Sequence, residues 1–186
     1  HILIDPETFA HLEIFEGVNI KTNPSLLAEI DRTITPMGAR KLRDCFQRPS
    51  NVLERVQDRL DAVEELAFRT TERTKLQSIL KEVHDLVRLV ARVALGRAGP
   101  RDLVALKQSI SMIPHVRSLL SDLKAPLIRS QLGRLDDVSD MREAIESTLT
   151  DDPPALVREG GFIRDGHDPN LDELRAISRN AKQLIA

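Results

Sequence analysis

The sequence predicts an all-α chain, a multi-helix bundle with long helices, and three observations carry that prediction. Apolar residues recur at spacings of three and four over several long stretches, which is the period of a helix with one buried face. Helix-starting and helix-stopping residues punctuate those stretches at both ends. No run alternates apolar and polar residues over a useful strand length. Hydrophobic residues make up 41% and charged residues 30% of the 186 residues, the balance of a folded domain rather than a disordered one.

Taken in order, Asp5-Pro6 pairs an N-cap with a proline at the first helical position, opening a short helix that Gly17 should close. Residues 17–24 read as a loop, and Ser25 begins a second short helix. Thr35-Pro36 repeats the cap-then-proline signal and starts a helix carrying Met37, Leu42, Cys45 and Phe46 until Pro49 ends it. Asn51 is the expected cap of a long helix with a stripe of Val52, Val56, Leu60, Val63, Leu66 and Ala67.

Thr70 and Thr71 mark the next boundary. The following stripe, Leu76, Ile79, Leu80, Val83, Leu86, Val87, Val90 and Ala94, reads as one helix closed by Gly96. Gly99-Pro100 opens another helix through Leu103, Leu106, Ile110 and Ile113, with Pro114 expected to kink or break it. Short helices are expected over 126–135 and 137–149, followed by a polar loop at 151–154. A turn or small hairpin is expected near residues 160–167, where Gly160, Gly161 and Gly166 cluster. A last helix runs from about Leu171 to the chain end. If Leu174, Ile177, Leu184 and Ile185 lack a partner there, that end should fray or self-associate.

The domain reading is a core bundle over 1–125 and an acidic helical continuation over 126–186, one continuous domain. Residues 32–59 hold seven basic and three acidic side chains, whereas residues 134–174 hold four basic and twelve acidic ones. Phosphate repels a surface that acidic, so the second part should not lie along DNA. With five Phe and neither Trp nor Tyr, the chain is poor in aromatic platforms for stacking single-stranded bases.

Candidate chemistry is sparse. Cys45 is the only cysteine, which excludes an internal disulfide and makes the reducing cytoplasm the expected compartment; it falls among apolar helix neighbours. The five histidines, at 1, 11, 84, 115 and 167, form no HxxxH or HExxH pair, and His84 and Asp85 are adjacent, so they point about 100° apart on a helix. Neither GxxxxGK[ST] nor GxGxxG occurs. Gly96-Arg97-Ala98-Gly99-Pro100-Arg101 offers two glycines and two arginines before a helix start, a place for an anion, but a plain helix-to-helix corner is the favoured reading. Most carboxylates have a basic residue three or four positions away, the pattern of solvated helix faces. The one candidate contact for nucleic acid is the basic stretch with Arg32, Arg40, Lys41, Arg43 and Arg48, the first four the best candidates; an amphipathic surface or contact with an acidic neighbouring domain is favoured over it. No catalytic residue, cofactor-binding residue, metal ligand or membrane span is expected in this segment.

Three blocks together resemble the MutS family of DNA mismatch-repair proteins. Leu26-Leu27-Ala28-Glu29-Ile30-Asp31-Arg32-Thr33-Ile34-Thr35-Pro36-Met37-Gly38-Ala39-Arg40-Lys41-Leu42 is similar to the opening of that family's central helical domain. Arg59 to Leu66 and Asp85 to Leu89, then Arg92 and Pro100 to Leu103, follow in the family's order and spacing, as do Gly160-Gly161, Gly166 and Leu171 to Leu174. Two departures stand out: His11-Leu12-Glu13-Ile14 where the family usually has an Asn-led block, and Val87 where it commonly carries Glu.

The resemblance covers essentially the whole chain. It implies the core and first lever helices of a longer protein, truncated before the clamp. Those levers run between an ATPase domain and a clamp that closes on DNA. The same resemblance implies ATP and Mg for the parent protein and none for this segment. Its implied partners are other domains of the same protein, mismatched DNA and a second subunit. An amphipathic helix of about 16 residues spans roughly 24 Å, enough to carry displacement between distant sites. The alternative is a free-standing helical adaptor or regulatory module gripping a partner helix, and a helical enzyme has neither a paired-acid motif nor a metal cluster behind it.

Overall fold

The structure, a computed structural model, describes residues 2–17 and 24–185, with the side chains of 179 and 181–185 left aside. Most of the loop expected over 17–24, and the side chains of Leu184 and Ile185, therefore lie outside the described residues. Among the described residues there are eleven α-helices: α1 Pro6–His11, α2 Leu26–Ile30, α3 Pro36–Gln47, α4 Leu53–Phe68, α5 Thr70–Lys81, α6 Leu86–Ala94, α7 Pro100–Ser111, α8 Ile113–Leu120, α9 Pro126–Gly133, α10 Ser139–Thr148 and α11 Pro169–Ile185. A single 3-10 turn, Val157–Glu159, and one isolated antiparallel bridge, Leu149 with Ile163, complete the set. The fold is all-α.

Caps set the starts of the early helices. Asp5 Oδ1 accepts the Thr8 N–H at 2.9 Å, Ser25 Oγ accepts that of Ala28 at 3.3 Å, and Thr35 Oγ1 accepts that of Gly38 at 3.0 Å. The helix expected from Asn51 begins at Leu53, with Val52 at the cap position, while Ser50 Oγ accepts the Val52 N–H at 3.3 Å.

The helix expected across 76–94 is two helices. The Glu82 and Val83 N–H groups bond three residues back, to Ile79 and Leu80, so the final turn of α5 tightens and stops. Residues 83–85 are irregular before α6 begins. Gly96 does end α6: its N–H reaches Val93 O at 2.9 Å and that of Arg97 reaches Arg92 O at 2.8 Å, the paired bonds of a Schellman cap. The φ of +63° at Gly96 is one that a side chain would resist.

The chain forms two compact units, and both are discontinuous in sequence. The first comprises His1–Val87 and Met112–Asp137, the second Arg88–Ser111 and Val138–Ala186. This partition follows packing, whereas a division at residue 125 follows charge and periodicity. In the first unit α4 packs on α9 and α5 on α8. Ala62, Leu123, Ala125 and Ile128 form its buried cluster, flanked by Leu66, Leu120, Leu127 and Leu132. Burial of each large apolar side chain contributes about 1.5–3 kcal/mol.

The apolar stripe of α4 is divided by this packing. Ala62 and Leu66 face the cluster, while Leu53, Leu60 and Val63 are exposed. In the second unit α7 packs on α10, and Val104, Leu106 and Ile110 of α7 and Ile145 of α10 are buried. The segment at 160–167 pairs with the end of α10 and also turns on itself, the His167 N–H reaching Arg164 O at 3.3 Å. The Thr150 N–H donates to Phe162 O at 3.0 Å and the Arg164 N–H to Thr148 O at 2.8 Å, beyond the left-handed pair Gly160 and Gly161.

Candidate functional site

Helix α3 carries most of the basic stretch, and the structure gives each of its cations a different partner. Arg40 makes a bidentate pair with Asp85, Nη1 to Oδ2 at 2.8 Å and Nη2 to Oδ1 at 2.7 Å. Asp85 holds the guanidinium above its ordinary pKa, chiefly through these bonds. Lys41 lies 3.6 Å from Asp44, one turn along the same helix. Arg43 lies over the Phe15 ring, 4.5 Å from its centroid, and Phe15 meets Phe9 at 5.1 Å. Arg32, before α3, donates to the Asp31 carbonyl at 3.0 Å. Arg40, Lys41 and Arg43 therefore share a helix but not a common target. Beside Arg43, an open cleft of about 520 Å³ is walled by Ile4, Phe9, Phe15, Gln47 and Arg48.

The Gly96–Arg101 corner behaves as a helix corner. The Gly99 N–H donates to Asp102 Oδ2 at 2.8 Å, and Arg92 approaches the same oxygen at 2.9 Å. Arg101 Nε is turned to Pro153 O at 2.9 Å. The protein's own carboxylate thus occupies the place an anion would take. Among the described residues, no three His, Cys, Asp or Glu side chains are grouped to hold a metal ion. Likewise, no helix there is long and apolar enough to cross a membrane.

Two carboxylates that the sequence reading passes over tie separate elements together. Glu65, on α4, accepts the Lys124 N–H at 2.8 and 2.9 Å and the Ala125 N–H at 2.7 Å, capping the start of α9 from across the unit. Those backbone bonds, Ala125's first, hold its carboxyl below the ordinary range. In the second unit Asp151 bridges Lys107 at 2.8 Å and Arg164 at 3.2 Å, and these cations depress its pKa, Lys107 the more. Their signal is weak in sequence, because each partner lies far along the chain.

Residues 7–186 match the family model for MutS domain III. The chain belongs to the MutS domain III family. It is 42% identical over its whole length to the DNA mismatch repair protein MutS of Symbiobacterium thermophilum. To the proteins of that name from Methanothrix thermoacetophila and Salinibacter ruber it is 41% identical, again over its whole length. The match takes in 21%, 22% and 21% of those three proteins, so this MutS domain III chain spans about a fifth of the length of its relatives. The resemblance noted in the sequence is thereby shown at the level of the family.

Proposed function

We propose that this domain III segment transmits conformational change between the ATPase domain and the DNA clamp of a MutS-type mismatch-repair protein, and does no chemistry of its own. The observation that carries this reading is the use of its charged groups. Glu65 and Asp151 are spent joining one element to another within each unit, and Arg40 is paired with Asp85. Elements locked to each other in this way move as bodies, which a relay needs.

On this reading ATP, Mg, mismatched DNA and a second subunit belong to the parent protein, which works in the cytoplasm. Other domains of the same protein are the direct neighbours of this one. Arg32 and Lys41, whose close partners among the described residues are on their own segment, are the cations for a weak interdomain or phosphate contact. A free-standing adaptor is the poorer reading, since the relatives carry this segment within a chain about five times longer.

The test is to assay the 186-residue chain alone for ATP turnover and for binding of a mismatched over a matched duplex. The expected result is neither activity, with a helical circular dichroism spectrum. ATP turnover by this chain would contradict the proposal.

A further inference from the structure

We propose that the Asp165–Gly166 peptide is a site of self-modification, where aspartate isomerises to isoaspartate through a cyclic imide, and that Asp172 and Arg175 restrain the reaction. It is the single Asp-Gly in the sequence, which has no Asn-Gly. Glycine presents the attacking nitrogen with no side chain of its own in the way. The segment is open to water: the Asp165 side chain is 79% exposed, and Gly166 is exposed beside it.

The reaction needs only solvent. With the Asp165 carboxyl in its neutral acid form, the Gly166 nitrogen bonds to Cγ and gives up its proton, and the carboxyl hydroxyl leaves with that proton as water. The imide so formed joins the nitrogen to both carbonyl carbons of Asp165. A second water then opens the ring. Breaking the bond from nitrogen to Cγ restores aspartate. Breaking the bond to the main-chain carbonyl carbon leaves the backbone running through Cγ, lengthened by the Cβ methylene, with that carbonyl carbon now a free carboxylate. Nothing is oxidised or reduced, and the mass is unchanged.

Two contacts from α11 oppose the first step. The Gly166 N–H donates to Asp172 Oδ2 at 2.7 Å, a charge-assisted bond that commits the nitrogen's proton and orients the peptide plane. Arg175 Nη1 donates to Asp165 Oδ1 at 2.9 Å, so the carboxyl that must swing onto the nitrogen is engaged by the helix instead. The same guanidinium donates to Ile163 O at 3.0 Å and lies 3.5 Å from Asp172 Oδ1, so one side chain ties both restraints together. Asp168 Oδ1 accepts the Asn170 N–H at 2.9 Å and secures the helix start. All of these groups belong to the second compact unit. The bond is therefore protected while the first turns of α11 are intact, and it becomes reactive when they open locally.

The test follows isoaspartate in the full-length protein kept at neutral pH, by fragment-ion mapping of the peptide that holds Asp165 and by methyl transfer from an isoaspartyl methyltransferase. In urea, isoaspartate should gather at Asp165 ahead of the other aspartates of this segment; in buffer it should form there more slowly. Asp172→Ala and Arg175→Gln should each raise the rate in buffer about three- to tenfold, the range that losing one hydrogen bond gives. Glu65→Ala, which alters a joint in the first unit, should leave that rate unchanged. A rate in buffer equal to that in urea, or one unmoved by both α11 substitutions, overturns the restraint. Isoaspartate that forms elsewhere in this segment but not at Asp165, even in urea, overturns the site. If an α11 variant unfolds, isomerisation rises at aspartates throughout the chain, and the comparison of buffer with urea on the unsubstituted protein decides.

Discussion

The carboxylate of Glu65 accepts the backbone N–H of Ala125 at 2.7 Å across 60 residues of sequence, so the first turn of α9 is capped by a side chain of α4. The neighbouring Lys124 N–H shares the same group. Two orphan donors at a helix start are satisfied by one remote acceptor, which makes the α4–α9 joint directional as well as apolar.

Glu65→Ala should therefore lower the thermal midpoint by a few degrees and loosen α9 ahead of the rest of its unit. Glu65→Gln, which keeps an acceptor oxygen but not the charge, should cost less. Amide hydrogen exchange at residues 124–130 checks this: faster exchange confined to that segment is expected, and a uniform increase would argue against a local joint.

The same group makes acid stability predictable. The folded protein holds the Glu65 carboxyl below its ordinary range because the Ala125 and Lys124 N–H groups favour the anion, and Asp151 is depressed by Lys107 and Arg164. A carboxyl depressed in the folded state stabilises the fold above its unfolded pKa, about 4 for such groups, and loses that contribution as pH falls through the folded value. Unfolding by urea at a series of pH values from 6 to about 3 should show stability falling below about pH 4, and less steeply in Glu65→Gln.

Leu123 is 1% exposed at the centre of the first unit's cluster. Leu123→Ala should cost about 2–5 kcal/mol, the transfer term plus the cavity left behind. Equilibrium denaturation measures it. Ile110→Ala, at 4% exposure in the second unit, should cost a similar amount.

Val138 sits in the left-handed region at φ +46° and ψ +44°, immediately before α10. A β-branched residue there is strained by about 1–2 kcal/mol. Val138→Asn, which tolerates that conformation, should raise the thermal midpoint. A lower midpoint would mean that the side chain's contacts outweigh the strain.

Loss of a local cap gives a comparison for these remote effects. Thr35→Ala removes the oxygen that accepts the Gly38 N–H at 3.0 Å and should cost about 1 kcal/mol, while Thr35→Ser should cost little.

What was legible in the sequence follows the range of the interaction. The caps at Asp5, Ser25 and Thr35 act within three residues, and the sequence reading places all three. The Gly96 stop and the bend before Pro114 are equally local. The break at 82–85 was not legible, because the stripe from Leu76 to Ala94 has unbroken helical spacing and its interruption coincides with a partner at Arg40. Asn51 stands one position ahead of Val52, which holds the cap position of α4. The apolar stripe of α4 showed which residues share a helix surface but not which of them meet α9, so Leu60 and Val63 read as core and are exposed.

The basic stretch was visible as charge, and its pairing was not. Arg40 and Arg43 are one turn apart, yet one meets Asp85 and the other Phe15, since the partners arrive from different parts of the chain. Leu174 and Ile177 on α11 are exposed.

The most direct measurement of the transmission role is ATP turnover by the full-length protein with and without mismatched duplex, comparing Glu65→Ala with the unsubstituted chain below either protein's unfolding temperature. The expected result is that basal turnover and mismatch affinity are each retained while the response of turnover to the mismatch is reduced severalfold. An unaltered response, with α9 shown by hydrogen exchange to be loosened, would contradict it.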